Sequence, residues 1–300
     1  MFKMFYTRST IIIKLMGGLG NQLFQYAFVR GLSLEYNREF TLDTSWYKYE
    51  KKNPFNCSIL NFNIIEKYPS PFITKYLDLI GKFHYLYAIN KIFNRYLISK
   101  LLPRYVSERK FNAQNILKKD SMVLVGYWLK LEYFEKYEDI IRKEFTPKNK
   151  LTDENEGYLK KIESSNSISA HIRRGAYVSD PEIYNAYFHT SLDYYSKAFS
   201  YMARKVKNPV FFIFSNEIGW AKENLKIDYP AVFVDSDGPD FEHLFLMSRC
   251  RHNIITSSSF SWWGAWLNGN KSKIVIAPKK LSKTKSWEGI MPTTWLRFDN

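Results

Sequence analysis

Apolar residues come in short runs and in longer stretches of helical period, with turn residues between them. Ile11-Ile12-Ile13-Lys14-Leu15 predicts a short buried strand, and Gly17-Gly18-Leu19-Gly20 after it predicts a glycine loop. An apolar-periodic segment then runs from Asn21 to about Tyr36, a predicted helix, and Phe40 to Asp43 predicts a second strand. This βαβ-like opening implies a parallel sheet and an α/β class. From Pro71 to Tyr105 aromatics, Leu and Ile mix with Lys75, Lys82, Lys91, Arg95, Lys100 and Arg104, which predicts short basic amphipathic helices. Packing on the first domain is the stronger role for them, and lying on an anionic membrane surface the weaker. Val123 to Trp128 predicts a strand and Glu132 to Glu144 a helix.

The polar stretch from Pro147 to Glu156 marks a domain boundary, giving domains 1–155 and 156–300. Beyond it the βα alternation is cleaner. Strands are predicted at Ser167–His171, Val210–Phe214, Ala231–Asp235, Asn253–Thr256 and Lys273–Ala277. Helices are predicted at Asp193–Arg204, Glu217–Leu225, Phe241–Cys250 and Phe260–Leu267. This rhythm is that of a Rossmann-like doubly wound domain, in which ligands bind outside the carboxyl ends of the strands. His171, Arg173 and Ser257 all fall at such ends.

Composition narrows the class. Hydrophobic residues make up 45% of the 300 positions and aromatics 18%, which fits a packed protein and excludes a disordered one. A formal charge of +15 favours an anionic partner, but Lys and Arg are scattered and form no stripe of the kind a nucleic-acid binder shows. Cys57 and Cys250, the only cysteines, give neither a disulfide framework nor a zinc spacing, which suits a reducing, cytosolic setting. The start of the chain does not read as a signal peptide. No stretch approaches the ~20 apolar residues of a spanning helix, so the protein is expected to be soluble or at most peripheral at the membrane.

The candidate chemistry centres on His171-Ile172-Arg173-Arg174-Gly175-Ala176-Tyr177. Paired guanidiniums beside a glycine suit a diphosphate, because each offers a planar fork of donors with a permanent charge. On these residues alone the segment reads equally as a solvated basic turn. Ser257-Ser258-Ser259 at a predicted helix start exceeds what an N-cap requires, and helix-start amides with hydroxyls make a phosphate seat. The glycine loop with Asn21 and Gln22 is a weaker signal of the same kind, a tight turn being its plainer role. Trp262, Trp263 and Trp266 fit core at helical spacing. Asp235-Ser236-Asp237 resembles a metal-binding Asp-x-Asp element but reads better as a turn, next to Gly238 and Pro239. No HExxH pattern or nucleophile elbow is present.

Several ordered motifs together point to a family. They are Met16-Gly17-Gly18-Leu19-Gly20-Asn21-Gln22-Leu23-Phe24-Gln25-Tyr26-Ala27, Gly126-Tyr127-Trp128 with Tyr133-Phe134, His171-Ile172-Arg173-Arg174-Gly175, Asp193-Tyr194-Tyr195 and Phe214-Ser215-Asn216-Glu217. Leu246 to Ile255 and Ser258 to Asn268 complete the series. The chain resembles the bacterial α-1,2-fucosyltransferases along nearly its whole length. The resemblance implies a GT-B architecture, two Rossmann-like domains facing a cleft, with GDP-fucose on the C-terminal one. It also implies inverting, metal-independent transfer without a cofactor, to a galactose-type hydroxyl of an oligosaccharide or lipid-linked surface glycan.

On this resemblance Arg173 and Arg174 hold the diphosphate and stabilise its growing charge, and His171 orients the diphosphate or nucleoside. Ser258, Ser259 and the Phe260 amide seat phosphate or base, and Asn21 lies across the cleft near the anomeric carbon. Gly18, Gly20, Gln22, Ser215, Glu217 and Glu242 complete the donor site. Three positions depart from the family pattern. Ala176 stands where an Asp is expected, His243 where an acid commonly precedes Leu244, and Ser257 where Asn commonly precedes the serines. Asp180, Glu182 and His189 are then the candidate bases, with Asp180 foremost, and Glu242 or Asp240 the candidate acids for guanine. Competing readings are another GDP-sugar or linkage, a non-catalytic nucleotide-sugar binder, and a nucleic-acid binder resting on charge alone.

Overall fold

Ile11–Lys14 forms strand β1, and its three isoleucines are buried, as the centre of a parallel sheet requires. The computed structural model describes residues 10–49, 55–82, 103–112, 121–174, 190–280 and 289–299. Helix α1 (Leu19–Tyr36) is buried along most of its first four turns and ends at Asn37, which adopts the left-handed conformation (φ 47°) and donates its N–H to Ser33 O. Strands β2 (Phe40–Asp43), β3 (Arg104–Ser107) and β4 (Met122–Val125) complete a parallel sheet of order β2-β1-β4-β3. In this unit Ile11 pairs with both Phe40 and Met122.

Helices α2 (Ser45–Tyr49), α3 (Pro71–Lys82) and α4 (Glu138–Glu144) flank this sheet in sequence. Leu77 of α3 is buried against Ile12 and Val123, so this helix packs on the sheet, the stronger of its two expected roles. Arg104 and Tyr105 belong to β3 and not to a helix; their alternation with buried Val106 has period two, and β4 supplies their ladder. Lys91, Arg95 and Lys100 lie outside the described residues. The helix expected over Glu132–Glu144 is instead two single 3-10 turns, Leu131–Tyr133 and Glu135–Tyr137, followed by α4. Phe134 breaks it, leaving helical geometry (φ −145°, ψ −6°) to bury its ring 6.0 Å from that of Phe24.

The chain divides into two compact units, Met1–Thr146 and Pro147–Asn300. The division falls at the start of the polar stretch rather than its end, because Asp153 already opens helix α5 (Asp153–Glu163). Thr152 at the N-cap position, with Asp153, Glu154 and Glu156 in the first turn, is the helix-start signal hidden in that polarity.

The second unit alternates as its sequence pattern predicts: β5 (Asn166–Ile172), α6 (Leu192–Lys205), β6 (Pro209–Ser215), α7 (Ile218–Asn224), β7 (Ala231–Phe233), α8 (Asp240–Arg249), β8 (His252–Ile254), α9 (Ser259–Leu267) and β9 (Val275–Pro278). Strand β10 (Leu296–Phe298) was not legible, since three residues carry too little periodicity. The sheet order β10-β9-β8-β5-β6-β7, all parallel, is the Rossmann order. Trp262, Trp263 and Trp266 are buried, and Trp262 Nε1 donates to Ile290 O at 3.1 Å, so all three serve the core. Cys57 and Cys250 are free thiols.

Candidate functional site

A doubly wound sheet binds ligands at the carboxyl ends of its strands where the order reverses. In the second unit that point lies between β5 and β8. His171, the last but one residue of β5, is 5% exposed, and its Nδ1 has no hydrogen-bond partner among the described residues. Its ring lies 5.5 Å from that of Phe260 in the first turn of α9, and its carbonyl accepts from Tyr195 Oη at 2.9 Å. Burial first, then the charges of Arg173 and His243, push the imidazole down to about 3, so it is neutral at ordinary pH.

A folded-state value below the unfolded 6.5 means that, between these limits, the unfolded chain binds a proton the folded one refuses. The stability His171 contributes is therefore complete above pH ~6.5 and is lost on acidification towards 3, at up to ~1.4 kcal/mol per pH unit. We expect His171→Asn to weaken the fall in thermal midpoint between pH 7 and 5. An unchanged slope would assign the acid sensitivity elsewhere.

Arg174 follows β5 and is fixed by the neighbouring β6–α7 connection. Its main-chain N–H donates to Asn216 Oδ1 at 2.9 Å and its Nε to Glu217 Oε2 at 3.2 Å. The guanidinium carbon sits 3.7 Å from the centroid of the Trp220 ring. Glu217, expected against the substrate, thus bonds the arginine. Ser215 Oγ accepts the Glu217 N–H at 3.0 Å and so shapes the loop.

The serines divide their work. Ser258 caps α9, accepting from Phe260 N at 3.3 Å, and Ser257 donates to Lys280 O at 3.0 Å. The Phe260 amide is therefore met by Ser258 and is not an open donor. Tyr194 Oη, donating to Ile255 O at 2.7 Å, braces the end of β8 from α6, a role the sequence did not disclose.

Glu242 corrects an expectation. It is 3% exposed, and its carboxylate accepts from Thr152 N (3.1 Å), Thr152 Oγ1 (2.8 Å) and Asn155 Nδ2 (2.7 Å), so it anchors the start of α5 and is not offered to guanine. Asn155 Oδ1 accepts from Ser236 Oγ at 2.8 Å, which commits the serine proton. His243 Nε2, 2.8 Å from the same oxygen, must then be its donor, leaving Nδ1 as the acceptor of this imidazole. Gly238 belongs to this packing, for a Cβ there would fall 2.3 Å from Asn155 Nδ2. Asp235 pairs with Lys222 at 2.6 Å, and Asp235-Ser236-Asp237 lies in an irregular loop rather than in the turn its sequence suggests. Among the described residues no group of three or more His, Cys, Asp or Glu side chains is arranged to hold a metal ion.

In the first unit the glycine loop is built as a tight turn. Gly17 has φ +76°, a conformation that disfavours any side chain, and its carbonyl accepts from Gln22 Nε2 (3.0 Å) and Tyr47 Oη (2.9 Å). Gln22 is fully buried; it also donates to Asn56 O at 2.8 Å and accepts from Ile59 N at 2.9 Å. It is a brace and not a ligand contact, which corrects its place among the donor residues. Gln25 does the same work, joining Met16 to Gly126 O, and its polarity on a buried helix face was the available signal. Gly18 is the N-cap of α1, Gly20 is buried in its first turn, and the partly buried Asn21 donates its main-chain N–H to Gly18 O.

The profile of glycosyl transferase family 11 matches residues 7–296. The chain belongs to this family. An α-1,2-colitosyltransferase of Escherichia coli is 33% identical over 302 residues, covering 97% of this chain and 99% of its own length. The O-antigen biosynthesis glycosyltransferase WbnK of Escherichia coli is 30% identical over 302 residues, with 95% and 99% covered. Among solved structures, a mutant of Arabidopsis thaliana FUT1 in complex with GDP superposes with a TM-score of 0.56 at 12% identity, covering 98% of this chain and 77% of that one.

The protein is therefore a family 11 glycosyltransferase, and its two Rossmann-like units give the GT-B type of fold. Within its second unit the structure gathers His171, Arg174, Ser215, Glu217, Ser258 and Phe260 at the carboxyl ends of β5, β6 and β8. Ala176, Asp180, Glu182 and His189 lie outside the described residues. No described helix is long and apolar enough to cross a membrane.

Proposed function

We propose that this glycosyltransferase moves L-fucose from GDP-fucose to the 2-hydroxyl of a galactose-type residue in an oligosaccharide or lipid-linked surface glycan, with inversion and without a metal ion. The observation that carries this is Arg174 at the end of β5. Its Nε is tied to Glu217, while Nη1 and Nη2 make no hydrogen bond to a described residue and remain for the oxygens of a diphosphate. Arg173 stands beside it, and together they oppose the charge that grows on GDP as the glycosidic bond breaks. His171, neutral and with Nδ1 unpartnered, adds an uncharged polar contact at the switch point. Asp180 is assigned the acceptor proton, since Ala176 carries no acid.

The relatives support the chemical class. Colitose is fucose without its 3-hydroxyl, so a colitosyltransferase sharing the whole chain length fits a 6-deoxy-L-sugar donor and an α-1,2 bond. WbnK, named for O-antigen synthesis, fits a surface-glycan acceptor. The test supplies GDP-fucose, GDP-colitose and GDP-mannose in parallel with a β-galactoside acceptor, and determines the product linkage. The expected result is α-1,2-fucosylation with GDP-fucose, reduced at least tenfold in kcat by Asp180→Asn. Turnover with GDP-colitose alone would reassign the donor, and GDP-fucose binding without transfer would make the chain a binding protein.

A further inference from the structure

We infer that Trp220 and Glu217 are positioning residues for Arg174, and that this cradle sets the affinity for the diphosphate of the donor. The inference rests on the proposal above that Arg174 is an anion ligand. A long arginine side chain loses ~2 kcal/mol of rotamer freedom when it is ordered, a cost met either at binding or beforehand. Here it is met beforehand. Strands β5 and β6 pair Ile172 with Ser215, which places Arg174 beside the β6–α7 connection. Three groups then hold it: Asn216 Oδ1 on its main chain and Glu217 on Nε, both from that connection, and the Trp220 ring of α7, whose centroid is 3.7 Å from the guanidinium carbon.

The ion pair is partly exposed, with the Arg174 and Glu217 side chains at 25% and 38%, so its own contribution to stability is small. What it fixes is direction. With the guanidinium carbon over an aromatic ring and Nε engaged, Nη1 and Nη2 are left to meet anion oxygens. The ring itself is steady, because Trp220 packs against the cluster containing Phe211, Ile213 and Ala221. Glu217 is steadied by its N–H on Ser215 Oγ. A carboxylate left alone near a diphosphate would repel it, and pairing with Nε turns that charge into an orienting contact.

The experiment compares donor KM, acceptor KM and the GDP dissociation constant for the wild type, Trp220→Leu, Trp220→Phe, Glu217→Gln, Arg174→Ala and the double variant Arg174→Ala/Trp220→Leu, each checked for an unchanged thermal midpoint. Trp220→Leu is expected to raise donor KM and the GDP Kd about tenfold and leave acceptor KM unchanged, and Trp220→Phe to restore most of the loss. Glu217→Gln, which keeps the shape and the fold, is expected to weaken GDP about threefold to tenfold. In the Arg174→Ala background Trp220→Leu should add less than about twofold, since its effect runs through the arginine. An equal penalty in both backgrounds would overturn the cradle, as would normal GDP binding in Trp220→Leu and Glu217→Gln when Arg174→Ala is impaired. If Arg174→Ala itself binds GDP normally, the anion-ligand role of Arg174 fails, and the cradle with it.

Discussion

Replacing Arg173 with alanine lowers kcat/KM for sugar transfer by a factor of about 100 to 1000, with the thermal midpoint nearly unchanged. The magnitude follows from removing one fixed donor aimed at developing charge, a loss of ~2.7–4 kcal/mol in the transition state. Arg173 directly follows Ile172, the last residue of β5, and its charge is felt in the site, because it helps depress the His171 imidazole. Arg173→Lys keeps the charge and loses the fork, and is expected to recover only part of the activity. Steady-state kinetics across the three proteins decides the matter. An alanine variant within threefold of the wild type would remove Arg173 from the reaction.

The second large effect falls on stability. Glu242→Leu keeps much of the volume but removes the acceptor, leaving the buried donors of Thr152 and Asn155 unmet. Asn155 cannot turn over to compensate, since its Oδ1 holds the Ser236 hydroxyl that His243 in turn contacts. The expected cost is ~2–4 kcal/mol, read as a fall of about 10 °C in thermal midpoint. The preference for GDP over ADP, measured well below that midpoint, should not change. Loss of that preference at full stability would return Glu242 to the nucleotide base and contradict its structural role.

These two residues show what the sequence makes legible. Arg173-Arg174-Gly175 stands out because chemistry and position agree: cations at the end of an unmistakable strand. The βα rhythm from Ser167 onward gives the elements of the second unit because each apolar run is long enough to show its period. Glu242 does not declare itself, for an acid in the first turn of a helix reads alike as a ligand, a dipole partner or an exposed residue. Its real partners, Thr152 and Asn155, lie 87 to 90 positions away in the chain. Gln22 beside the glycine loop is misleading for the same reason, being committed to the loop's own backbone. The pairing of Glu217 and Trp220 with Arg174 is likewise invisible until the topology sets β6 next to β5. Helix α5 was concealed by a polar composition that resembles a linker but carries a helix-start pattern.

On the proposed function, the carboxyl end of β5 binds the diphosphate of a GDP-sugar through its paired arginines. Calorimetric titration of GDP into the wild type and into the Arg173→Ala/Arg174→Ala double variant tests it most directly. The wild type is expected to bind GDP saturably, and the folded double variant at least about a hundredfold more weakly. Equal GDP affinity in the two proteins would contradict the proposal.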